Sequence, residues 1–181
     1  MVAILAGIPG AGKTTVIKNA LKEKNMSFVT YGTVMFDIAK DINVKTRDDM
    51  RKLPLERQWD IQKRAAEKIH AMGDVIVDTH CTIKTKSGYL PGLPYDVLKT
   101  LRPTLIILIE AEEQEIMQRR TKDKNIRERD SESEEEINEH QEMNRIAAMT
   151  YAVLTGATVK IVKNNEGLLE RATREVAQAL G

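Results

Sequence analysis

The chain has 181 residues, of which 41% are hydrophobic and 30% are charged, a composition typical of one globular domain with a sizeable core. It has 28 Lys and Arg residues against 27 Asp and Glu residues. This balance argues against a surface for nucleic acid or membrane lipid. The single cysteine, Cys81, excludes a disulfide within the chain and a zinc site built from cysteines. Since the chain also opens without a signal-peptide pattern and has no long apolar run, we expect a cytoplasmic protein.

The first element of the chain leads into its most specific motif. Val2–Ala6 is an apolar run typical of a buried strand, and the residues that follow match the phosphate-binding P-loop. The loop residues expected to contact a nucleotide are Gly7, Ile8, Pro9, Gly10, Ala11, Gly12, Lys13, Thr14 and Thr15. In such a loop, backbone N–H groups and the N-terminus of the next helix bind phosphate. We expect Lys13 to reach the β- and γ-phosphates, the Thr14 hydroxyl to bind Mg²⁺ and Thr15 to bind an α-phosphate oxygen.

Helix and strand patterns alternate after the P-loop. The spacing of apolar residues predicts a helix over 14–23, a strand over 28–31, a helix over 33–42, a helix from Pro54 to Met72, a strand over 74–78, a strand over 104–110, a helix over 112–120, a helix over about 134–154, a strand over 158–162 and a helix over 168–180. Residues 79–94 are rich in glycine and proline, so we expect an irregular segment there. Ser133 and Glu136 form a capping-box pattern before the 134–154 helix.

This order predicts an α/β protein with a P-loop NTPase fold, in which a five-stranded parallel sheet has helices on both faces. Ligands bind such folds at the carboxyl ends of the strands. The P-loop, 31–33 and 78–80 all follow strands and are therefore expected to line one crevice. There Asp78 is a candidate for holding Mg²⁺ through water. We interpret His80 and His140 as hydrogen-bonded structural residues, with substrate contact as the alternative.

Two basic segments favour phosphoryl transfer to a second substrate over hydrolysis or switching. The first contains Arg47, Arg51, Lys52 and Arg57, and the second contains Arg119, Arg120, Lys122, Lys124, Arg127 and Arg129. Phosphoryl transfer requires neutralisation of charge and exclusion of water, which a lid rich in arginine supplies. Solvated surface charge is the alternative interpretation of both segments. Guanine specificity is not supported, because the string closest to Asn-Lys-x-Asp, at 163–166, has a different order.

Seven segments, spread over nearly the whole chain, match the pattern of one enzyme family. They are Gly-Ile-Pro-Gly-Ala-Gly-Lys-Thr-Thr (7–15), Tyr-Gly-Thr-Val-Met-Phe (31–36), Arg-Asp-Asp-Met-Arg-Lys-Leu (47–53), Val-Asp-Thr-His (77–80), Gly-Tyr-Leu-Pro-Gly-Leu-Pro (88–94), Glu-His-Gln-x-Met-Asn-Arg (139–145) and Val-Leu-Thr-Gly-Ala-Thr-Val-Lys (153–160). With these segments the chain resembles adenylate kinases of the archaeal type. The resemblance implies reversible, Mg²⁺-dependent phosphoryl transfer from ATP to AMP, giving two ADP.

The resemblance also implies a domain layout and an assembly. One kinase domain would span 1–181, with its core at 1–30, 74–118 and 134–181. A small helical AMP-binding insertion would occupy about 31–73, and a short lid would occupy about 119–133. Similar enzymes assemble as trimers, so we expect a homotrimer without nucleic-acid or membrane partners.

Individual roles follow from the same resemblance. The AMP site would be lined by Gly32, Thr33, Met35 and Phe36, with Arg51 on the AMP phosphate. Arg119 would contact the adenine or the phosphates of ATP, and Lys13 would act with Arg127, Arg129 and Arg145 on the transferring phosphoryl group.

The chain departs from the bacterial form of the pattern in two places. Asp37 stands where an arginine is expected. The AMP-binding arginine that should follow Asp78 has no counterpart, and Lys84 is the nearest cation. Two other functions also stay open: a kinase for another small acceptor, and an ATP-dependent assembly or repair factor on an adenylate-kinase-like fold. The near-neutral charge weighs against an RNA partner for such a factor.

Overall fold

A computed structural model gives the fold and describes residues 1–122 and 132–181. Its strands are β1 (Val2–Ala6), β2 (Ser27–Thr30), β3 (Val75–Asp78), β4 (Thr82–Thr85), β5 (Gly88–Pro91), β6 (Leu105–Glu110) and β7 (Thr158–Lys163). Its helices are α1 (Lys13–Ala20), α2 (Tyr31–Lys40), α3 (Arg47–Arg51), α4 (Leu55–His70), α5 (Tyr95–Leu101), α6 (Glu113–Lys122), α7 (Glu134–Thr155) and α8 (Leu169–Ala179). A 3₁₀ turn at Leu21–Glu23 extends α1.

The main sheet has five parallel strands in the order β2-β3-β1-β6-β7, which confirms the predicted fold class. Every residue of β1 and β6 is buried. Such continuous apolar strands are typical of a parallel sheet covered on both faces. The register aligns Leu5 of β1 with Asp78 of β3, and Asp78 with Thr30 of β2. The ends of three neighbouring strands therefore lie side by side.

Helices pack on both faces of this sheet and divide the core into two layers. On one face α2, α4, α5 and α7 contribute buried residues such as Val34, Ile61 and Leu98. On the other face α1 and α8 contribute Ile17 and Val176 among others. Apolar residues spaced for one face of each helix account for this packing. The two layers hold the sheet rigidly, so that the loops after its strands are presented from a fixed base.

The structure corrects the expectation of an irregular segment at 79–94. Strands β4 and β5 form an antiparallel two-stranded sheet there, with Thr82 opposite Pro91 and Thr85 opposite Gly88. Proline and glycine fit this hairpin because each strand has an edge that pairs with no other strand among the described residues. Helix α5 follows directly and was not predicted. Tyr31, expected in the second strand, instead begins α2.

Helix α7 begins at the predicted capping box. The Ser133 side chain accepts a hydrogen bond from the Glu136 N–H at 3.2 Å, and the Glu136 carboxylate accepts one from the Ser133 N–H at 2.9 Å. Two otherwise unpaired N–H groups at the start of the helix are thereby satisfied. Although α7 has 22 residues, neither it nor another helix in the described ranges has the length and apolar character to cross a membrane.

Candidate active site

The P-loop lies between β1 and α1 and presents hydroxyl and N–H groups at the sheet edge. Thr14 and Thr15 are exposed, whereas Ile8 anchors the loop in the core. Gly12 caps α1 with a φ of 87°, and a Cβ there would overlap the side-chain amide of Asn164. Within the part of the chain that is described, the N–H groups of Lys13 and Thr14 have no backbone acceptor, as expected in the first turn of a helix. These groups can bind a phosphate.

Lys13 and Asp78 bring opposite charges together beside the loop. Lys13 Nζ donates a hydrogen bond to the carbonyl oxygen of Gly7 at 2.8 Å. Burial lowers the pKa of Lys13 although the nearby Asp78 carboxylate acts in the opposite direction. Burial likewise raises the pKa of Asp78 against the effect of Lys13. Such shifted pKa values in a crevice are typical of functional sites.

Two consecutive arginines of α6 hold the outer side of the P-loop. Arg119 Nη1 donates to the carbonyl oxygen of Gly10 at 3.4 Å, and its Nη2 bonds the Asn164 carbonyl at 2.9 Å. Arg120 Nε donates to the carbonyl oxygen of Pro9 at 2.8 Å. The predicted lid begins at 119, but residues 119–122 continue α6. The base of this segment is therefore part of a helix that contacts the nucleotide loop.

Arg120 also joins a cluster of charges around Glu132, which we call the Glu132 cluster: Glu132, Arg120, Lys84, His140 and Glu136. Glu132 lies 3.0 Å from Arg120 Nη1, 3.2 Å from Lys84 Nζ and 3.4 Å from His140 Nδ1. Lys84 pairs with Glu136 as well, at 2.9 Å. Burial alone would raise the pKa of Glu132, but hydrogen bonds from His140, Arg120 and Lys84 outweigh it and lower the pKa to about 2. Lys84, a candidate for the AMP site, is thus engaged by two carboxylates.

The two histidines differ in their surroundings. His140 fits the structural interpretation, since its ring contacts Glu132 and lies 5.3 Å from the ring centroid of Tyr89. His80 is exposed, and the structure records no hydrogen bond or ion pair for its ring within 1–122 and 132–181. Although the residue reaches solvent, the surrounding protein partly desolvates its ring, and this desolvation, followed by the Lys13 ammonium, lowers the pKa of His80. The expectation of a hydrogen-bonded structural residue is therefore wrong for His80.

Arg145, expected near the transferring phosphoryl group, is held at the end of β6. Its Nε and Nη2 donate to the two carboxylate oxygens of Glu110 at 2.7 and 2.6 Å. Lys163 adds a second cation 2.9 Å from Glu110. Glu110 is only 2% exposed. Burial would raise its pKa, but the hydrogen bonds from Arg145 and Lys163 hold the pKa below its usual value.

The residues expected to line the AMP site, Gly32, Thr33, Met35 and Phe36, lie in the first two turns of α2. Helix α3 packs against this start of α2, and its first residue reaches the site. Arg47 Nη2 donates to Thr33 Oγ1 at 2.8 Å. Arg51, predicted as the ligand of the AMP phosphate, is exposed and pairs with Asp48 at 3.0 Å. Of the two arginines of α3, it is therefore Arg47 and not Arg51 that contacts Thr33.

The structure thus places most of the predicted site residues along one sheet edge. Arg127 and Arg129 lie outside the described residues. Sequence reasoning missed three contacts, made by Asn164, Glu132 and Arg47, because each residue bonds a partner distant in the chain. Asn164 Nδ2 donates to the Ala11 carbonyl oxygen at 2.9 Å and so supports the P-loop from beyond β7. The sequence signals for Arg47 were its place in a basic segment and in the matching segment 47–53, and neither distinguishes it from Arg51.

Comparisons with known proteins agree with this geometry. A family model described as an AAA domain matches residues 6–138. The adenylate kinase of Methanopyrus kandleri is 52% identical over 99% of this chain and 97% of its own length. Those of Methanothermobacter thermautotrophicus and Thermoplasma acidophilum are 54% and 47% identical, each over 99% of this chain and 98% of their own.

Solved structures show the same fold at much lower sequence similarity. A shikimate kinase from Bacteroides thetaiotaomicron aligns over 99% of this chain and 98% of its own length, with a TM-score of 0.60 and 15% identity. A shikimate kinase from Aquifex aeolicus has a TM-score of 0.57 and 17% identity, with 99% and 96% of the two chains covered. At this low sequence identity, the two solved structures support the fold alone. The full-length relatives and the AAA-domain match together show that the chain belongs to the adenylate kinase family, on a P-loop scaffold.

Proposed function

We propose that this protein catalyses reversible phosphoryl transfer from ATP to AMP, giving two ADP. The observation that carries the proposal is that the P-loop and the proposed acceptor-binding residues at 31–36 lie at one sheet edge. The P-loop follows β1, and residues 31–36, which include Thr33, follow β2, two strands away. Neighbouring strands lie about 4.8 Å apart, so these elements are separated by about 10 Å. Nucleotides bound at the two elements can bring their phosphates into line.

The described residues would act mainly by position and charge. The N–H groups of Lys13 and Thr14 would bind the phosphates of ATP, and the Lys13 ammonium would leave the Gly7 carbonyl to contact the β- and γ-phosphates. Arg119 already touches Gly10 and is proposed to contact ATP. Arg145 would have to leave Glu110 in order to bind a phosphate. Arg127 and Arg129 are proposed, from the resemblance alone, to act on the transferring phosphoryl group.

The donor set also fits Mg²⁺ bound together with ATP. Thr14 offers an exposed hydroxyl, and Asp78 offers a half-buried carboxylate near Lys13. Across the described ranges, no group of three His, Cys, Asp or Glu side chains could hold a metal alone. This arrangement suits an ion that takes most of its ligands from phosphates and water. When bound, Mg²⁺ would neutralise charge on the phosphates, with Thr14 as a ligand and Asp78 acting through water.

Oligomeric state and location are also part of the proposal. Helix α7 exposes Ile146, Met149, Val153 and Leu154. Since contiguous exposed apolar side chains are typical of subunit contacts, they support the homotrimer that the archaeal resemblance implies. The free, buried Cys81 suits a reducing compartment such as the cytoplasm.

A coupled assay of ADP formation tests the proposed reaction. The purified protein is given MgATP with AMP, CMP, UMP, GMP or water alone as the acceptor. We expect the highest kcat/KM with AMP and only slow ADP formation with water. A higher kcat/KM for another acceptor would favour a different small-molecule kinase. Slow hydrolysis that no acceptor stimulates would favour the ATP-dependent assembly factor.

A further inference from the structure

The two arginines of α3 have different partners. Arg47 and Arg51 stand at the two ends of this five-residue helix. Arg51 Nη1 lies 3.0 Å from a carboxylate oxygen of Asp48. Arg47 Nη2 instead donates to a neutral hydroxyl, Thr33 Oγ1, at 2.8 Å. Of the two guanidinium groups, that of Arg47 lies against the residues proposed to line the acceptor site.

The carboxylates around Arg47 have closer partners, although Asp37 also senses the Arg47 charge. Asp37 pairs with Lys40 at 2.9 Å, Asp48 pairs with Arg51, and Asp49 accepts hydrogen bonds from Thr46 in the capping box that begins α3. Within the described ranges the structure records no carboxylate at ion-pair distance from Arg47. A guanidinium with five donors and a neutral contact retains most of its capacity to bind an anion.

The exposed Arg47 guanidinium has two further neighbours on α2. Its central carbon lies 5.9 Å from the ring centroid of Phe36, a distance at which the ring face attracts a cation. One Nη of Arg47 additionally lies near Gly32, 3.8 Å from where a Cβ would stand. Arg47 thus contacts or adjoins three of the four α2 residues of the proposed acceptor site.

We propose that Arg47 binds the phosphate of the acceptor nucleotide. This assignment rests on the proposed function, because it requires a phosphate-bearing acceptor at the start of α2. Position 37, where an arginine is expected, holds an aspartate in this chain. Arg47 reaches the site from α3 and would supply the positive charge that is missing at position 37. A planar guanidinium can donate two parallel hydrogen bonds to a phosphate, with Thr33 Oγ1 beside it as a further donor. Arg51 would need to break its pair with Asp48 to act there.

Steady-state kinetics and calorimetry of AMP binding can test the assignment. The variants are Arg47→Ala, Arg47→Lys, Arg51→Ala and, as a control for the loss of one exposed positive charge in the same insertion, Lys45→Ala. We expect Arg47→Ala to raise the KM and Kd for AMP at least tenfold while the KM for ATP changes less than twofold. Arg47→Lys should recover part of the loss, since it keeps the charge without the two-pronged geometry. Arg51→Ala should raise the KM for AMP less than Arg47→Ala does, and Lys45→Ala should leave it unchanged.

Three results would overturn the assignment: a rise in the KM for AMP below tenfold in Arg47→Ala, equal rises for AMP and ATP, or a larger rise in Arg51→Ala. Melting temperatures show whether each variant remains folded. If Arg47→Ala does not fold, the KM for AMP of Arg47→Lys, which keeps the charge, tests the assignment in its place. The proposed function is judged separately by the wild-type protein. If the wild-type protein forms ADP from ATP and AMP but Arg47→Ala binds AMP normally, only the assignment of Arg47 fails.

Discussion

Lys13 lies where a single ammonium group can act on the phosphates of a nucleotide. It donates to the Gly7 carbonyl at 2.8 Å and is half-buried near Asp78. We expect Lys13→Met, which keeps an unbranched side chain of similar length without the charge, to lower kcat more than tenfold, a loss of more than about 1.4 kcal/mol of transition-state stabilisation. Lys18→Ala removes an exposed charge from the same helix and should leave kcat unchanged. Retention of more than a tenth of the wild-type kcat in Lys13→Met would contradict the role of the ammonium group.

Glu132 gives a prediction about pH and stability. Its pKa is about 2 in the folded protein and about 4.3 in an unfolded chain. A carboxylate whose pKa is lowered by folding stabilises the protein above its unfolded pKa, and this contribution is lost as the pH falls through the folded value. We expect Glu132→Gln to lower the free energy of unfolding by about 2 to 3 kcal/mol at pH 7.

The pH dependence checks the cause of that loss. Urea unfolding of the wild type and Glu132→Gln should give a difference that shrinks as the pH falls from about 5 towards 2. Glu135→Gln, an exposed change in the same acidic run, should cost less than about 0.5 kcal/mol at either pH. A difference between Glu132→Gln and the wild type that is constant with pH would show that charge at Glu132 is not its source.

The active site could be predicted from the sequence where its chemistry is local. The P-loop was placed correctly because nine consecutive residues, 7–15, specify both the turn and the helix that follows. Arg47 and Thr33, in contrast, are 14 positions apart, and Asn164 is 153 positions from Ala11. Contacts between such pairs depend on how the helices pack, which periodicity does not report.

At the scale of elements, long and strongly patterned segments were the predictable ones. The five strands of the main sheet and helices such as α4 and α7 were expected within a few residues of where they lie. The hairpin at 82–91 was missed because its strands carry polar residues, glycine and proline in place of the apolar run that marks β3, which is equally short. Helix α5, with seven residues, is likewise too short for apolar spacing to be decisive.

The close approach of the hairpin to β3 yields a prediction at this scale. The Gly92 N–H donates to the Cys81 carbonyl oxygen at 2.7 Å. A Cβ at Gly92 would overlap the backbone carbonyl of His80, which cannot move without displacing the chain after β3. We expect Gly92→Ala to lower the free energy of unfolding by about 2 to 3 kcal/mol. Urea unfolding measures this loss, and Ser87→Ala in the same hairpin is the matched control. A loss no larger than that of Ser87→Ala would show that the contact is easily relieved.

At the scale of the whole molecule, α7 has more apolar surface than the core uses. Its inner face buries Ile137, Ala148 and Tyr151. Its outer face leaves Val153 82% exposed and Ile146 59% exposed. Strand β7, the neighbouring edge of the sheet, leaves Ile161 40% exposed. An apolar surface shared by a helix and an edge strand favours a contact between subunits over isolated surface residues.

We therefore expect light scattering at micromolar concentration to give about three times the chain mass of 20.4 kDa. Val153→Lys places a charge at the most exposed of the apolar residues of α7. It should shift the mass towards that of one chain, because burying an unpaired ammonium at an interface is unfavourable. Gln178→Lys adds the same charge at an exposed position of α8 and should leave the mass unchanged. A wild-type mass near 20.4 kDa would refute the trimer. A trimer that persists in Val153→Lys would place the subunit contact on another surface of the molecule.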